Sequence, residues 1–193
     1  MRGVVAVLFL GGCSGAIAET SPYVQTLPNG PCAVEGVTGS VPGVTLAIRG
    51  ASCVVPRGSG ATFTYEVTTD GTVPAITVLG SGGGCGPCHG FSTDPGSFLF
   101  ARIEGVSPGG EQQSYCICDV GCCPPTQDAT IVLSATTSSA SYTWSGRNWA
   151  GPSDTGNPEG EFFVQGVYAV DVTFSGFEAG QVLAQLPIEV IDP

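Results

Sequence analysis

The run ATFTYEVTTDG, residues 61–71, decides how the rest of the chain is read. Phe63, Tyr65 and Val67 fall on one face and Thr62, Thr64, Glu66 and Thr68 on the other, the period-two alternation of a strand with one buried side. Asp70-Gly71 ends the run. It is a two-residue hairpin signal whose turn positions both take positive φ, and it predicts a return strand over residues 75–79. Outward from this stretch the same pattern recurs. Strands are expected over residues 44–48, 53–55, 97–103 and 114–120. Ile131, Leu133 and Ala135 share a face, as do Tyr142 and Trp144. Tyr168, Val170, Val172 and Phe174 alternate with Ala169, Asp171 and Thr173. The last strand carries Val182, Ala184, Leu186, Ile188 and Val190 on one face and Pro187 on the other, which predicts an edge or bent strand. No segment shows a 3.6-residue stripe. The expected fold is all-β, a β-sandwich with disulfide-rich loops.

Composition agrees and removes several functions. The chain has 193 residues, 42% of them apolar, enough for a real core, and only 11% charged. Five arginines face 16 acids and there is no lysine, so the formal charge is −11 and a polyphosphate backbone is repelled. No nucleic-acid partner is expected. Phosphate-binding, Schiff-base and kinase lysines are excluded with the residue type itself. One histidine and no Gly-x-Ser-x-Gly elbow leave little material for a nucleophile and base. Glu104, Asp119 and Glu161 could meet as a glycosidase-type pair, but solvated loop acids are the expectation. The chain is read as no enzyme.

Met1-Arg2, the apolar run at residues 4–10 and Leu10-Gly11-Gly12-Cys13-Ser14 resemble a bacterial lipoprotein signal with its lipobox. The resemblance implies a signal segment over residues 1–18, diacylglycerol on Cys13 and a membrane held through that lipid. Ser14 resembles the residues that permit sorting to an outer membrane. Ala16-Ile17-Ala18 offers a rival secretory cut. Export is expected either way: an outer-membrane or cell-surface lipoprotein, otherwise a periplasmic or secreted protein. Residues 19–43, rich in Pro, Gly, Ser and Thr, read as a tether or irregular cover strand pinned by Cys32. The sandwich is expected over residues 44–193 as one domain, with a possible division near residue 126.

Export sets the reading of the cysteines. Without Cys13 there remain Cys32, Cys53, Cys85, Cys88, Cys116, Cys118, Cys122 and Cys123, an even set expected to form disulfides of unassigned connectivity. Neighbours Cys122 and Cys123 point to different partners, because a bridge between them needs a strained turn.

Cys85-Gly86-Pro87-Cys88 resembles a thioredoxin redox pair, but Asp94-Pro95-Gly96 cuts off the helix such a pair needs. Cys85-x-x-Cys88-His89 resembles the haem attachment site of c-type cytochromes, with His89 as proximal ligand. That resemblance implies the alternative reading, a small exported electron carrier. The only methionine is Met1 and His89 is the sole histidine, so the usual distal ligands are missing. A zinc or iron–sulfur site from these thiols and those at 116–123 suits a reducing compartment, whereas export predicts bridges. Asp154, Asn157, Glu159 and Glu161, in the loop 151–161, are oxygen ligands a calcium ion would accept, off the EF-hand spacing. Otherwise no cofactor is expected. Trp149 in the same region is a candidate contact for a glycan or an envelope protein, with core packing as its commoner fate.

Tyr142-Thr143-Trp144-Ser145-Gly146-Arg147-Asn148-Trp149, followed by Gly160, Phe163, Gly166, Tyr168 and Val170, is similar to the W-x-G-R … G … G-x-Y-x-V ending of bacterial immunoglobulin-like modules. Such modules occur at the C-termini of flagellar hook-capping proteins and many secreted bacterial proteins. The resemblance implies an immunoglobulin-like sandwich in which the Trp and Tyr pack between the sheets and glycines permit the turns. Ser145, where an acid is common, and the enlarged loop 151–161 depart from the pattern. The combined expectation is a non-catalytic exported cell-envelope lipoprotein acting as a binding or structural module.

Overall fold

A computed structural model describes residues 27, 29–78, 92–116, 128–151 and 157–193. Eleven strands are described: β1 Cys32–Val37, β2 Val44–Gly50, β3 Val54–Pro56, β4 Ala61–Thr69, β5 Ile76–Val78, β6 Leu99–Val106, β7 Gln112–Cys116, β8 Ala129–Ile131, β9 Thr136–Trp144, β10 Gly166–Ser175 and β11 Gln181–Ile191. Short 3-10 turns at Pro95–Phe98 and Phe177–Ala179 are the only helical elements among the described residues. Alternation becomes burial directly. Phe63 and Val67 of β4 are sealed while Thr62 and Thr64 are exposed. Every second residue of β11 from Val182 to Val190 is buried.

These faces build two layers. One sheet has the order β1-β2-β4-β9, the other β3-β11-β10-β6-β7, and β5 and β8 form a separate ribbon. Leu46, Ile48, Phe63, Val67 and Trp144 of the first sheet and Ile103, Val170, Val172, Phe174 and Leu186 of the second belong to one buried cluster. The architecture is therefore a β-sandwich. Strands from before and after residue 126 pair in both sheets, β4 with β9 and β6 with β10, so the possible division near 126 does not separate the layers.

Four expectations need correction. The tether boundary at 19–43 is too long, because residues 32–37 are strand β1, hydrogen-bonded to β2. The Asp70-Gly71 turn does not return β5 onto β4. Asp70 keeps a negative φ and only Gly71 is positive, at 84°, so the two-residue hairpin turn cannot form. Instead the Asp70 carboxylate accepts hydrogen bonds from the Thr72 N–H (2.8 Å) and hydroxyl (2.7 Å), an Asx turn that leads the chain away, and β5 pairs with β8. The strand expected from residue 97 begins at Leu99, because Asp94 caps Gly96 and Pro95 starts a 3-10 turn. The strand expected to start at residue 114 begins at Gln112, and its part beyond Cys116 lies outside the described residues.

Pro187 also sits differently. β11 lies between β3 and β10, but β3 reaches only residues 189–191. The Glu189 N–H donates to Cys53 O on the β3 side (2.8 Å), so the nitrogen of Pro187, two residues earlier, faces the same side, where no strand among the described residues is paired with it. No ladder bond is lost there.

Candidate functional site

After β9 the chain crosses to the open edge of β7, and the residues of the W-x-G-R segment assemble there. Gly146 makes the crossing at φ 84°, with a side-chain carbon excluded because it would lie 2.5 Å from Ser59 O. Trp144 is fully buried, packs edge-on to Phe163 (4.8 Å) and donates its indole N–H to Arg147 O (3.0 Å). Phe163 in turn packs on Tyr168 (4.9 Å), whose hydroxyl donates to Val164 O (2.8 Å). The Arg147 guanidinium lies 3.7 Å above the Phe162 ring and donates to Gly160 O.

Asn148 and Trp149 then close the sheet edge. The Trp149 N–H donates to Ser114 O and the Cys116 N–H to Trp149 O, both at 2.9 Å, a short parallel bridge along β7. Asn148 Oδ1 accepts from the Ser114 N–H (2.9 Å), and its amide donates to Gln113 Oε1 (2.9 Å) and Glu161 O (3.1 Å). One side chain thus stands in for a strand partner. The Trp149 ring packs on Tyr115 (5.5 Å), and its indole N–H donates to Asn157 O (2.6 Å). Over this lies an open cleft of 340 Å³ lined by Ser114, Asn148, Trp149, Ala150, Asn157, Pro158 and Gly160. Burial, helped by the charge of Glu159, pushes the Tyr115 phenol above its ordinary pKa.

The candidate calcium ligands are placed in part. Asn157 Nδ2 donates to Gly151 O (2.9 Å), Glu159 and Glu161 are exposed, and Asp154 lies outside the described residues. Among the described residues no three His, Cys, Asp or Glu side chains gather to hold a metal. Glu104 is held by Arg102 at 3.0 Å; Asp119 lies outside the described residues.

Cys32 and Cys53 form a disulfide, Cα to Cα 5.6 Å, tying the start of β1 to the residue before β3. Cys116 is disulfide-bonded as well. Cys13 with the signal segment 1–18, the haem candidates Cys85, Cys88 and His89, and Cys118, Cys122 and Cys123 lie outside the described residues.

One cluster escaped sequence reasoning. Asp171 alternates with the core residues of β10, which places it on the outer face, yet it is 2% exposed. Its carboxylate accepts from Gln185 Nε2 (3.0 Å) and lies 3.7 Å from Arg102 Nε. Both partners sit directly opposite it in register, on β11 and β6. The only sequence signal was an acid, an arginine and a glutamine on three separate strands. Tyr142 Oη and Ser145 Oγ are buried without a hydrogen-bond partner among the described residues.

The fold and this edge define a two-layer, disulfide-bonded β-sandwich. No protein-family model and no curated protein matches the chain. Among solved structures it is similar to β-glucosidase from Listeria innocua in complex with isofagomine, at TM-score 0.37 and 6% identity, over 76% of this chain and 16% of that one. The same enzyme in complex with glucose gives TM-score 0.38 and 8% identity over the same shares. The chain spans about a sixth of the length of these glycosidase chains. A likeness of this size carries no argument about what the chain does.

Proposed function

We propose that the chain is the body of a non-catalytic exported cell-envelope lipoprotein, an immunoglobulin-like sandwich held to a membrane by lipid on Cys13 and serving as a binding or structural module. The observation that carries this reading is the Cys32–Cys53 disulfide, which fastens the first strand to the body and belongs to an oxidising compartment. The immunoglobulin-like part is supported by Trp144, Phe163 and Tyr168, buried and in ring contact in the core, the roles that the resembled ending gives its Trp and Tyr. The short bonded edge at Asn148 and Trp149, with its cleft, is the surface on which an envelope protein or glycan would act.

Intact-mass analysis of protein isolated from its own host, with and without reductant, tests the reading. Lipid mass on the Cys13 peptide, and thiols that appear only after reduction, are expected. Free thiols throughout the native material would overturn it, and a haem mass with a Soret band would replace it by the electron-carrier alternative at Cys85, Cys88 and His89.

A further inference from the structure

Four strands end the two sheets, and three carry features that block further pairing. β1 is bulged between Val34 and Val37 and bears Glu35; β3 has three residues and ends in Pro56; β7 is covered by the Trp149 bridge. β9 differs. Its nine residues, TTSSASYTW, contain no charge, glycine or proline, pair with β4 in unbroken register from Thr136 to Trp144, and have no strand on the other side among the described residues.

Side-chain spacing shows which backbone groups this edge presents. Thr62 and Thr143 are opposite residues with hydroxyls 3.0 Å apart, and so are Thr68 and Thr137. In an antiparallel ladder the pairs with the closer side chains are the non-hydrogen-bonded ones, whose own N–H and C=O turn away from each other. Two further contacts agree. The Thr136 carbonyl, of opposite parity, lies on the β4 side within 3.3 Å of the Thr69 hydroxyl, and the Thr143 carbonyl receives the Tyr115 hydroxyl of β7 at 3.5 Å. The N–H and C=O groups of Thr137, Ser139 and Ser141 therefore point off the sheet.

We propose that this edge joins two copies of the chain, β9 antiparallel to β9, into one continuous eight-stranded sheet. A second copy is the occupant the chemistry favours. Centred on Ser139, the pairing sets each Ser139 against its mate and each Thr137 against a Ser141, for about six backbone hydrogen bonds. It also continues the hydroxyl-to-hydroxyl contacts that β9 already makes with β4. Ser138 and Ala140, on the other face, are small, and Gly96 of the first 3-10 turn lies against Ser138. Charge opposes the pairing and sets its salt dependence. The chain carries −11, and Asp94 lies beside Ser138, a side-chain carbon on Gly96 being within reach of both; the nearest charged residue in register is Glu66, one strand in from Ser139. Its distance to the Glu66 of the second copy spans three strand spacings, about 14 Å, beyond the Debye length of about 8 Å at physiological salt.

Sedimentation equilibrium of the full chain, exported and kept in matched detergent, tests this with wild type and variants in parallel. Wild type is expected to dimerise, more weakly at low salt. Ser139→Pro removes an N–H that faces away from β4, so it should leave the circular dichroism unchanged and abolish the dimer. Ser139→Lys and Ser139→Glu should each weaken dimerisation at least about tenfold by setting like charges opposite one another, and an equimolar mixture of the two should restore it. A wild type that stays monomeric at about 0.1 mM, far above the range of a micromolar dimer, would overturn the proposal. So would a dimer that survives Ser139→Pro, or a Lys/Glu mixture that stays monomeric.

Discussion

Replacing both Cys32 and Cys53 by alanine should cost about 3 kcal/mol of stability. The bridge joins residues 21 apart, and restricting an unfolded loop of about 22 residues is worth about 3.3 kcal/mol at 25 °C in the chain-entropy treatment. Little else compensates. Without the bridge β1 is held by its pairing to β2 and by the Arg49–Glu35 ion pair, two bonds of 2.7 Å between side chains that are 45% and 52% exposed. A pair so exposed contributes under about 1 kcal/mol. For a chain of this size, 3 kcal/mol corresponds to a Tm lowered by about 6–12 °C. Urea unfolding of the double variant is the right assay, because reductant would also open the bridge at Cys116. The midpoint should fall and the m-value should rise, because the uncross-linked denatured chain is less compact, and amide exchange should quicken first at Val34, which pairs with Ile48 of β2 beside the lost bridge. A loss below about 1 kcal/mol, or β1 amides as protected as before, would refute the idea that the disulfide fastens this strand, and with it the main support for an exported, bridge-stiffened body.

Tyr142→Phe should stabilise the protein by about 1 kcal/mol or more, because the buried Tyr142 hydroxyl has no partner to lose among the described residues; a drop in the urea midpoint would refute this. The same variant checks a pH dependence. Burial first, and then Tyr65, push the Tyr142 phenol far above its ordinary 10.0, so the unfolded chain ionises there while the folded one stays neutral. Stability is full below pH 10 and falls above it by about 1.4 kcal/mol per pH unit, a slope that the variant should flatten in alkaline unfolding curves. Trp144→Ala should lose about 3–5 kcal/mol, since it empties a fully buried site and strips Arg147 O of its donor; chemical denaturation measures it. Thr72→Val should return the Asp70 carboxyl toward its ordinary range. The Thr72 hydroxyl, then its N–H, hold that pKa down, so the contribution is present above the ordinary carboxylate range and is lost as pH falls through the lowered value; carbon-detected NMR titration reads the shift.

What was legible in the sequence was the face of each strand. Phe63 and Val67, the even residues 168–174 and the even residues 182–190 all turn to the core as their alternation required, because a pleated strand exposes successive side chains to opposite solvents. The turns were less legible. Asp70-Gly71 is a strong hairpin signal between strands, yet the Thr72 hydroxyl and N–H both reach the Asp70 carboxylate and favour an Asx turn in which only the glycine turns left-handed. The deciding group lay one residue beyond the motif.

Neighbours were not legible at all, and the distinctive features of this chain are properties of neighbours. Asp171 reads as an exposed acid until Arg102 and Gln185 arrive opposite it from strands 69 and 14 residues away. Asn148 reads as a loop polar residue until β7 lies beside it, whereupon its side chain supplies the acceptor for the Ser114 N–H. For β9 the argument runs the other way. Its hydroxyl residues gave only a weak alternation, since neither face carries a run of large apolar side chains. Placed at the end of a sheet in a chain of charge −11, that same lack of charge and bulk leaves its backbone donors and acceptors open to another strand, and the strand best matched to a neutral row of Thr and Ser is an identical one.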